Sequence, residues 1–385
     1  MRKQFMPYNL PDLGPEEEDA VIQVLRSRWI SRGPITQQFE QALSQQLNQE
    51  PVLALSSCTA GMHLALLAQG IGPGDEVITT PYTFAATVNV IIHVGATPVL
   101  VDIDEATGNI DLTQVLHVLT PKTKALLPVH YAGYAADMDR LNRLRDQHQL
   151  FVVEDAAHAI ASSYHGQRIG TFGNVTAFSF YATKNLTTGE GGAVVVPDAE
   201  LADKIRVLSL HGMSRHAWNR YTAQGSWSYE IAAPGFKYNM TDLQAALGLV
   251  QLQKLPRLQA RRQDIARQFA RDFADLPVIL PQESDEIQHS WHLYPLRLQT
   301  DRITLDRDQF IDALRSRNIG ASVHFIPIHF HPYYQRHYGW EIGQFPRAER
   351  FFAQEVSLPL YPSMTDEDVY DVIESVRDIL LTHQV

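Results

Sequence analysis

Seven short β-rich runs recur through the first two-thirds of this 385-residue chain: Val52–Ser56, Glu76–Thr80, Thr97–Asp102, Lys124–His130, Leu150–Glu154, Val175–Tyr181 and Gly192–Val196. Helical patterns lie between several of them, at Ala60–Gln69, Ala85–Val94, Leu112–Leu119 and Met138–Gln147. Strands joined through helices cross over and pair in parallel, with helices covering both faces of the sheet. The expectation is an α/β fold built on a mostly parallel seven-stranded sheet flanked by helices. No fixed-period repeat and no low-complexity tract competes with it.

The pattern changes near Thr241. Thr241-Asp242-Leu243-Gln244 reads as a capping box that opens a long helix, because Gln244 can reach back to the cap amide. That helix is expected to run to about Phe273, with a break or bend at Pro256. Beyond it come a strand at His292–Leu298, a helix at Asp306–Arg317 and a strand at Ala321–Ile326. Thr365 caps a final helix, whose Val369, Val372, Ile373, Val376, Ile379 and Leu380 keep helical spacing. A hinge is placed around Gln251–Arg262. It divides the chain into a large α/β domain with the N-terminal segment, residues 1–250, and a smaller C-terminal α+β domain, residues 251–385. The length also exceeds what one ordinary core supports.

Several function classes fall away on composition. The net charge is -11 and no basic block stands out, which argues against nucleic acid as a partner. Cys58 is the only cysteine, so an intrachain disulfide and a four-thiolate zinc site are excluded. The opening MRKQFMPYNLPDLG has no apolar core of signal-peptide length. No apolar stretch reaches the ~18 residues of a membrane span. The expected compartment is the cytoplasm, with no membrane partner.

In open α/β sheets, ligands bind beyond the carboxyl ends of the strands. Ser56-Ser57-Cys58-Thr59-Ala60-Gly61 follows the first strand and opens a helix. It is either a simple cap or a phosphate cradle of free N–H groups. Thr80-Pro81-Tyr82-Thr83-Phe84 follows the second and offers two aromatics, packed in a loop or covering a flat ring. Glu154-Asp155-Ala156-Ala157-His158 ends a strand that is apolar over Leu150–Val153. A carboxylate there needs a partner or a ligand. Asp155 either caps the next helix or faces a cationic pyridinium nitrogen, with His158 near a ring oxygen.

Phe178-Ser179-Phe180-Tyr181-Ala182-Thr183-Lys184-Asn185 leads into Gly189-Glu190-Gly191-Gly192. Most lysines are solvated, but burial at the end of a strand lowers an amine's pKa and makes it a nucleophile and base. Ser179 can add a hydroxyl to a phosphate. Together the segments supply an anion cradle, a ring cover, a pyridine partner and an imine-forming lysine.

With these residues in place, the chain resembles the sugar aminotransferase family named after DegT, DnrJ, EryC and StrS, within the fold-type I pyridoxal-phosphate enzymes. The likeness runs from about Pro7 to the last helix. It is carried by Gly33-Pro34 after Trp29, by the Ser57, Glu154, Ser179 and Glu190 segments above, and by Gly235-Phe236-Lys237-Tyr238-Asn239-Met240-Thr241-Asp242. The chain is most similar to 4-aminotransferases of UDP-linked 4-keto sugars, such as the UDP-4-amino-4-deoxy-L-arabinose enzymes. That likeness lies in Val129-His130-Tyr131-Ala132-Gly133, Tyr238–Asp242 and Ser290-Trp291-His292-Leu293.

The resemblance implies pyridoxal 5′-phosphate as cofactor, held covalently by Lys184 with Asp155 on the pyridine nitrogen and His158 near the ring oxygen. Thr59, Ala60 and Ser179 fall at the phosphate, and Tyr82 or Phe84 at the ring face. Asn239 is similar to an asparagine that reaches the neighbouring subunit's phosphate, which implies a homodimer. The implied reaction moves an amino group from L-glutamate to a nucleotide-linked 4-keto sugar. A 3-keto sugar, or a cofactor-binding regulatory protein on the same scaffold, are the alternatives. A nicotinamide dehydrogenase would need G-x-G-x-x-G after the first strand, where this chain has Ser57–Gly61.

The sugar nucleotide is expected to meet the loop Leu210–Tyr229 and the segment His324–Tyr334. Arg215, His216, Arg220 and Lys237 are candidates for a diphosphate. Trp29, Trp227, Tyr229, His329, Tyr333 and Tyr334 are candidates for the sugar pocket. No metal is expected. His324, His329 and His331 have no companion thiolates or well-placed carboxylates in the sequence, and Pro327 and Pro332 fit a rigid loop.

Overall fold

The computed structural model describes residues 2–213 and 229–385. Two helices precede the first strand, α1 (Pro15–Ser27) and α2 (Pro34–Gln46). Each opens on a proline, where the missing N–H costs nothing. The start of α2 is held from far along the chain. The buried carboxylate of Asp242 accepts from Gly33 N at 2.8 Å, Thr36 N at 2.9 Å and Thr36 Oγ1 at 2.6 Å.

The next elements alternate: β1 (Val52–Leu55), α3 (Cys58–Ala68), β2 (Glu76–Thr79), α4 (Ala85–His93), β3 (Thr97–Leu100), α5 (Val115–Val118), β4 (Thr123–Leu126), α6 (Met138–His148) and β5 (Phe151–Asp155). A short antiparallel pair follows, β6 (Ser163–Tyr164) and β7 (Gln167–Arg168), then β8 (Val175–Ser179), β9 (Gly192–Val195) and α7 (Ala199–Leu208). All seven expected strands form, in one sheet of order β1-β9-β8-β5-β4-β2-β3. β9 is antiparallel to both neighbours, and the other pairs are parallel. The helix expected over Leu112–Leu119 shrinks to the four residues of α5. Only Val115 of α5 is buried, so little apolar area rewards a longer helix.

The remaining elements are α8 (Asp242–Asp272), β10 (Val278–Ile279), β11 (Ile287–Gln288), β12 (Tyr294–Leu298), α9 (Arg307–Ser316), α10 (Pro332–Tyr338), α11 (Pro346–Gln354), β13 (Glu355–Leu358) and α12 (Asp366–Thr382). β10, β12 and β13 form a three-stranded antiparallel sheet. The capping box at Thr241 is present, with Thr241 N donating to Gln244 Oε1 at 2.9 Å. No break occurs at Pro256, and α8 continues through it as 31 residues. Burial of Leu252, Leu255 and Leu258 on either side offsets the one lost amide bond.

α8 contributes to two cores. Ala245, Leu252 and Leu255 belong to the core under the seven-stranded sheet. Ile265, Ala266 and Phe269 belong to the core under β12, β13 and α12. The expected boundary at residue 250 thus falls inside one helix. Met6 packs in the second core, bridged to Ile319. The strand expected over Ala321–Ile326 is reduced to an isolated bridge between Ser322 and Ser357. Its backbone leaves the ladder because His324 N donates instead to the Glu355 carboxylate, at 3.0 Å.

Candidate active site

A cavity of about 460 Å³ opens at the rim where β1, β5 and β8 end and β9 begins. Parallel strands all finish at one edge, so the residues just after them converge there. β9 runs the opposite way, and this brings Glu190 and Gly191, which precede it, to the same edge.

The first turn of α3 forms one wall. Ser57 caps the helix, its Oγ accepting from Ala60 N at 3.0 Å. Ser57, Cys58 and Thr59 line the cavity, and Ser179 and Gly191 face them. First-turn amides of a helix lack intrahelical acceptors and carry partial positive charge. The wall is therefore suited to a phosphate. Ala60 sits in the same turn, but its amide is taken by Ser57.

Asp155 ends β5 and is 5% exposed. Its Oδ2 accepts from Thr87 Oγ1 at 2.8 Å and its Oδ1 from Ala157 N at 3.1 Å. Thr87 is in turn 2.7 Å from Thr83 Oγ1. A buried carboxylate with these two donors still has capacity for a cationic N–H from a ligand.

Lys184 closes the turn after β8, its backbone N donating to Tyr181 O at 2.9 Å. Burial pushes its amine down to about 8, against the opposing charges of Asp155 and Cys58. At neutral pH about a tenth of this amine is unprotonated, far more than for a solvated lysine, and that form is the carbonyl-attacking nucleophile.

Two histidines flank the amine with opposite polarity. Asn185 Nδ2 donates to Ser290 O at 2.6 Å, so Asn185 Oδ1 accepts from His292 Nδ1–H at 3.1 Å. The lone pair on His292 Nε2 then faces Lys184 Nζ at 3.4 Å. His158 Nδ1 accepts from Ala132 N at 3.2 Å, so its proton sits on Nε2. Its ring stacks on Phe325 at 5.9 Å and lies 4.4 Å from His292. Burial, followed by the Lys184 charge, holds both imidazoles well below the usual histidine range. Both are neutral, one donating and one accepting.

Lys184, Asp155, His158, Thr59 and Ser179 thus share one cavity. Of the two aromatic candidates, Phe84 lines it and is 63% exposed. Tyr82 is fully buried elsewhere, packed on Tyr131 and Phe351 at 5.3 and 5.0 Å. Asn239 lies on the rim, bridged to Leu55, and does not line this cavity. Its Oδ1 is buried with no hydrogen-bond partner among the described residues.

The candidates for the sugar pocket are spread out. Trp29 Nε1 donates to Arg32 O, His329 bonds Glu349 at 2.9 Å, and the Tyr333 ring stacks on His337 at 4.3 Å. Tyr334 donates to Asn89 Oδ1, and Lys237 bridges Leu210. None of these five lines the cavity, nor does Tyr229, which is half-exposed. Arg215, His216, Arg220 and Trp227 lie outside the described residues. Thr87, Asn185 and Tyr8 carried no role in the sequence reading, and His292 entered it only within a motif. Thr87 lies in the first turn of α4 and His292 just before β12, and only tertiary contact joins them to Asp155 and Lys184.

The pattern of the DegT/DnrJ/EryC1/StrS aminotransferase family matches residues 11–377. The chain is 53% identical over 381 residues to the spore coat polysaccharide biosynthesis protein SpsC of Bacillus subtilis (strain 168), covering 98% of each. Among solved structures it is similar to the sugar aminotransferase Spr1654 from Streptococcus pneumoniae in its PMP form. There the identity is 35% and the TM-score 0.93, over 98% of this chain and 99% of that one. The PLP form of the same protein gives 34% and 0.92, over 98% and 99%. Helicobacter pylori PseC, an aminotransferase involved in the biosynthesis of pseudoaminic acid, gives 32% and 0.90, over 99% and 100%.

Proposed function

The chain belongs to the DegT/DnrJ/EryC1/StrS aminotransferase family, and from that premise we propose that it transfers an amino group from L-glutamate to a UDP-linked 4-keto sugar. It is a sugar aminotransferase whose cofactor is pyridoxal 5′-phosphate. The products are a 4-amino sugar and 2-oxoglutarate. The observation that carries the reading is the Lys184 amine, lowered to about 8, in one cavity with the Asp155 carboxylate.

When bound, the cofactor supplies an aldehyde for covalent attachment and a ring that accepts the electron pair left by proton removal. Lys184 would hold the cofactor through its amine, which when free would serve as the base that moves a proton at the donor's α-carbon. His292 Nε2 accepts from the amine and orients it for that transfer. Asp155, fixed by Thr87 and Ala157, would keep the ring nitrogen protonated. His158 would offer its Nε2–H to the ring oxygen. Ser57, Thr59 and Ser179 would hold the phosphate, and Phe84 would cover one ring face.

We assign a homodimer in which Asn239 completes the neighbouring cavity. The support is its rim position, its absence from the lining of its own cavity and its unpartnered Oδ1. The division into domains of residues 1–250 and 251–385 is read as two cores sharing α8. The expected compartment is the cytoplasm. No helix among the described residues is long and apolar enough to cross a membrane.

The test offers the purified holoenzyme L-glutamate with a panel of UDP- and dTDP-linked 4-keto and 3-keto sugars. Formation of a 4-amino sugar with stoichiometric 2-oxoglutarate supports the reading. Turnover confined to 3-keto sugars would overturn the regiochemistry, and turnover without glutamate the donor. Mixed dimers of Lys184→Ala and Asn239→Ala chains each keep one intact composite site, so recovered activity supports the shared site.

A further inference from the structure

Behind the cavity wall, a second chain of hydrogen bonds ends on His324. Glu355 and Ser357 lie two residues apart on one face of β13 and are both fully buried. Glu355 Oε1 is 2.5 Å from Ser357 Oγ, and Ser357 Oγ is 2.9 Å from His324 Nδ1. Glu355 Oε2 also accepts from His324 N at 3.0 Å. The Ser322–Ser357 bridge fixes the register, with reciprocal bonds of 3.1 and 2.8 Å. Tyr131 Oη donates to His324 O at 2.6 Å, and the Tyr8 ring lies 5.3 Å from the imidazole. His324 is thus held by ring and backbone while lining the cavity, with Nε2 as the nitrogen left for it.

We propose that His324 is a substrate-contacting residue that donates its Nε2–H to an oxygen of the bound substrate, and that Ser357 and Glu355 are positioning residues that decide which ring nitrogen carries the proton. The ligand's identity rests on the aminotransferase reading; the hydrogen-bond chain does not.

Burial, reinforced by the Lys184 charge, pushes His324 down to about 4, so the ring is neutral and has one N–H to place. If Glu355 is protonated, its O–H donates to Ser357, Ser357 donates to His324 Nδ1, and the imidazole proton must sit on Nε2. If Glu355 is ionised, Ser357 donates to the carboxylate and accepts from His324 Nδ1–H, which leaves a lone pair in the cavity. Burial raises the Glu355 carboxyl to about 8. The first arrangement therefore holds at neutral pH and the second above about pH 8.

Arg307, at the start of α9, acts on Glu355 from a distance while donating to Phe352 O. Arg297, opposite Glu355 in the β12 register, turns to Glu105 and the Phe351 ring. The hydroxyls of Tyr8, Tyr82 and Tyr131 are neutral near pH 8, since burial pushes all three up. Lys184 faces His324 from the turn after β8, His158 from the segment after β5 and His292 from just before β12.

The experiment labels the histidines with 15N in the full-length apoprotein and assigns His324 by difference with His324→Asn. Wild type is expected to show the Nε2–H form at pH 7 and to convert to the Nδ1–H form with a midpoint near pH 8. Glu355→Gln, whose amide can only donate toward Ser357 when so oriented, is expected to keep Nε2–H throughout. Ser357→Ala is expected to lose the transition. A wild-type His324 whose tautomer stays constant from pH 6 to 9 would overturn the proposal whether or not the Glu355 and Ser357 variants fold. In the holoenzyme, Ser357→Ala is expected to lower kcat/KM of one half-reaction about tenfold, the loss of one hydrogen bond. The visible absorbance of the lysine-bound cofactor should be unchanged. Unaltered kcat/KM in both half-reactions would overturn the substrate contact. A protein that binds no cofactor would sink the aminotransferase reading and leave the tautomer result standing.

Discussion

Lys184 Nζ sits 3.4 Å from a histidine nitrogen, His292 Nε2, that has only a lone pair to offer, because Asn185 takes the proton on the other side of the ring. The amine is thereby aimed by a neutral acceptor rather than by a second charge. His292→Phe removes the acceptor and keeps the bulk. It is expected to lower kcat about tenfold or more while cofactor binding, read by visible absorbance, persists. Loss of the absorbance together with activity would instead make His292 a cofactor-binding group.

Lys184 also carries a pH signature. Its folded pKa of about 8 lies below the value of a solvated lysine. The native state therefore pays for the charge fully below pH 8, and the penalty fades between pH 8 and about 10.5. Lys184→Met should stabilise the apoprotein at pH 7 by about 1–3 kcal/mol. The gain should vanish by about pH 10.5, as read by denaturant unfolding at the two pH values. The same variant should have no transaminase activity. Rapid cofactor capture by the wild-type apoprotein should rise with pH, half-maximal near pH 8.

Asp155 is set between Thr87 and Ala157. Asp155→Asn keeps the size and removes the charge that protonates a ring nitrogen. A fall in kcat of about 10²-fold or more is expected, with the protein still folded by circular dichroism. Thr87→Ala should produce a smaller loss, about tenfold, because it only loosens the carboxylate.

Phe84 and Tyr82 separate cofactor contact from core packing. Phe84→Ala should weaken cofactor affinity several-fold and leave the thermal midpoint of the apoprotein nearly unchanged. Tyr82→Ala empties the space against Tyr131 and Phe351 and should cost about 3–5 kcal/mol of stability. Equal effects of both on affinity would contradict this division.

Asp242 ties α8 to the start of α2 through its bonds to Gly33, Thr36 and Ile35. Asp242→Ala leaves those amides and the buried Thr36 hydroxyl unpaired, and should cost about 2–4 kcal/mol in denaturant unfolding. A change of less than 0.5 kcal/mol would show water replacing the carboxylate, a threshold on the order of a surface substitution.

The seven strands were legible because each is short, apolar and bounded by turn residues, and the buried sheet strengthens that pattern. Lys184, Asp155 and Ser57 were legible because they immediately follow such strands, and chain order alone carries them to one edge. His292, Thr87 and Glu355 were not. Each acts through a neighbour more than 65 positions away, or from a strand whose sequence, Glu355-Val356-Ser357-Leu358, reads as an ordinary half-polar edge. The choice between Tyr82 and Phe84 also needs the fold, since both flank the same turn and only packing against Tyr131 and Phe351 draws Tyr82 inward. The strand misread at Ala321–Ile326 has the composition of a strand, but a side-chain carboxylate outcompetes the ladder for its amide.

The reversed direction of β9 bears on how such a scaffold can diversify. A parallel strand delivers one loop to the working edge and must return through a helix on a sheet face. A strand laid head-to-tail against β8 delivers its leading loop, Thr188–Gly191, to that edge with no such detour. Changes in that loop's length or side chains can therefore remodel the mouth of the pocket while the hydrogen-bonded ladder and both covering layers stay as they are.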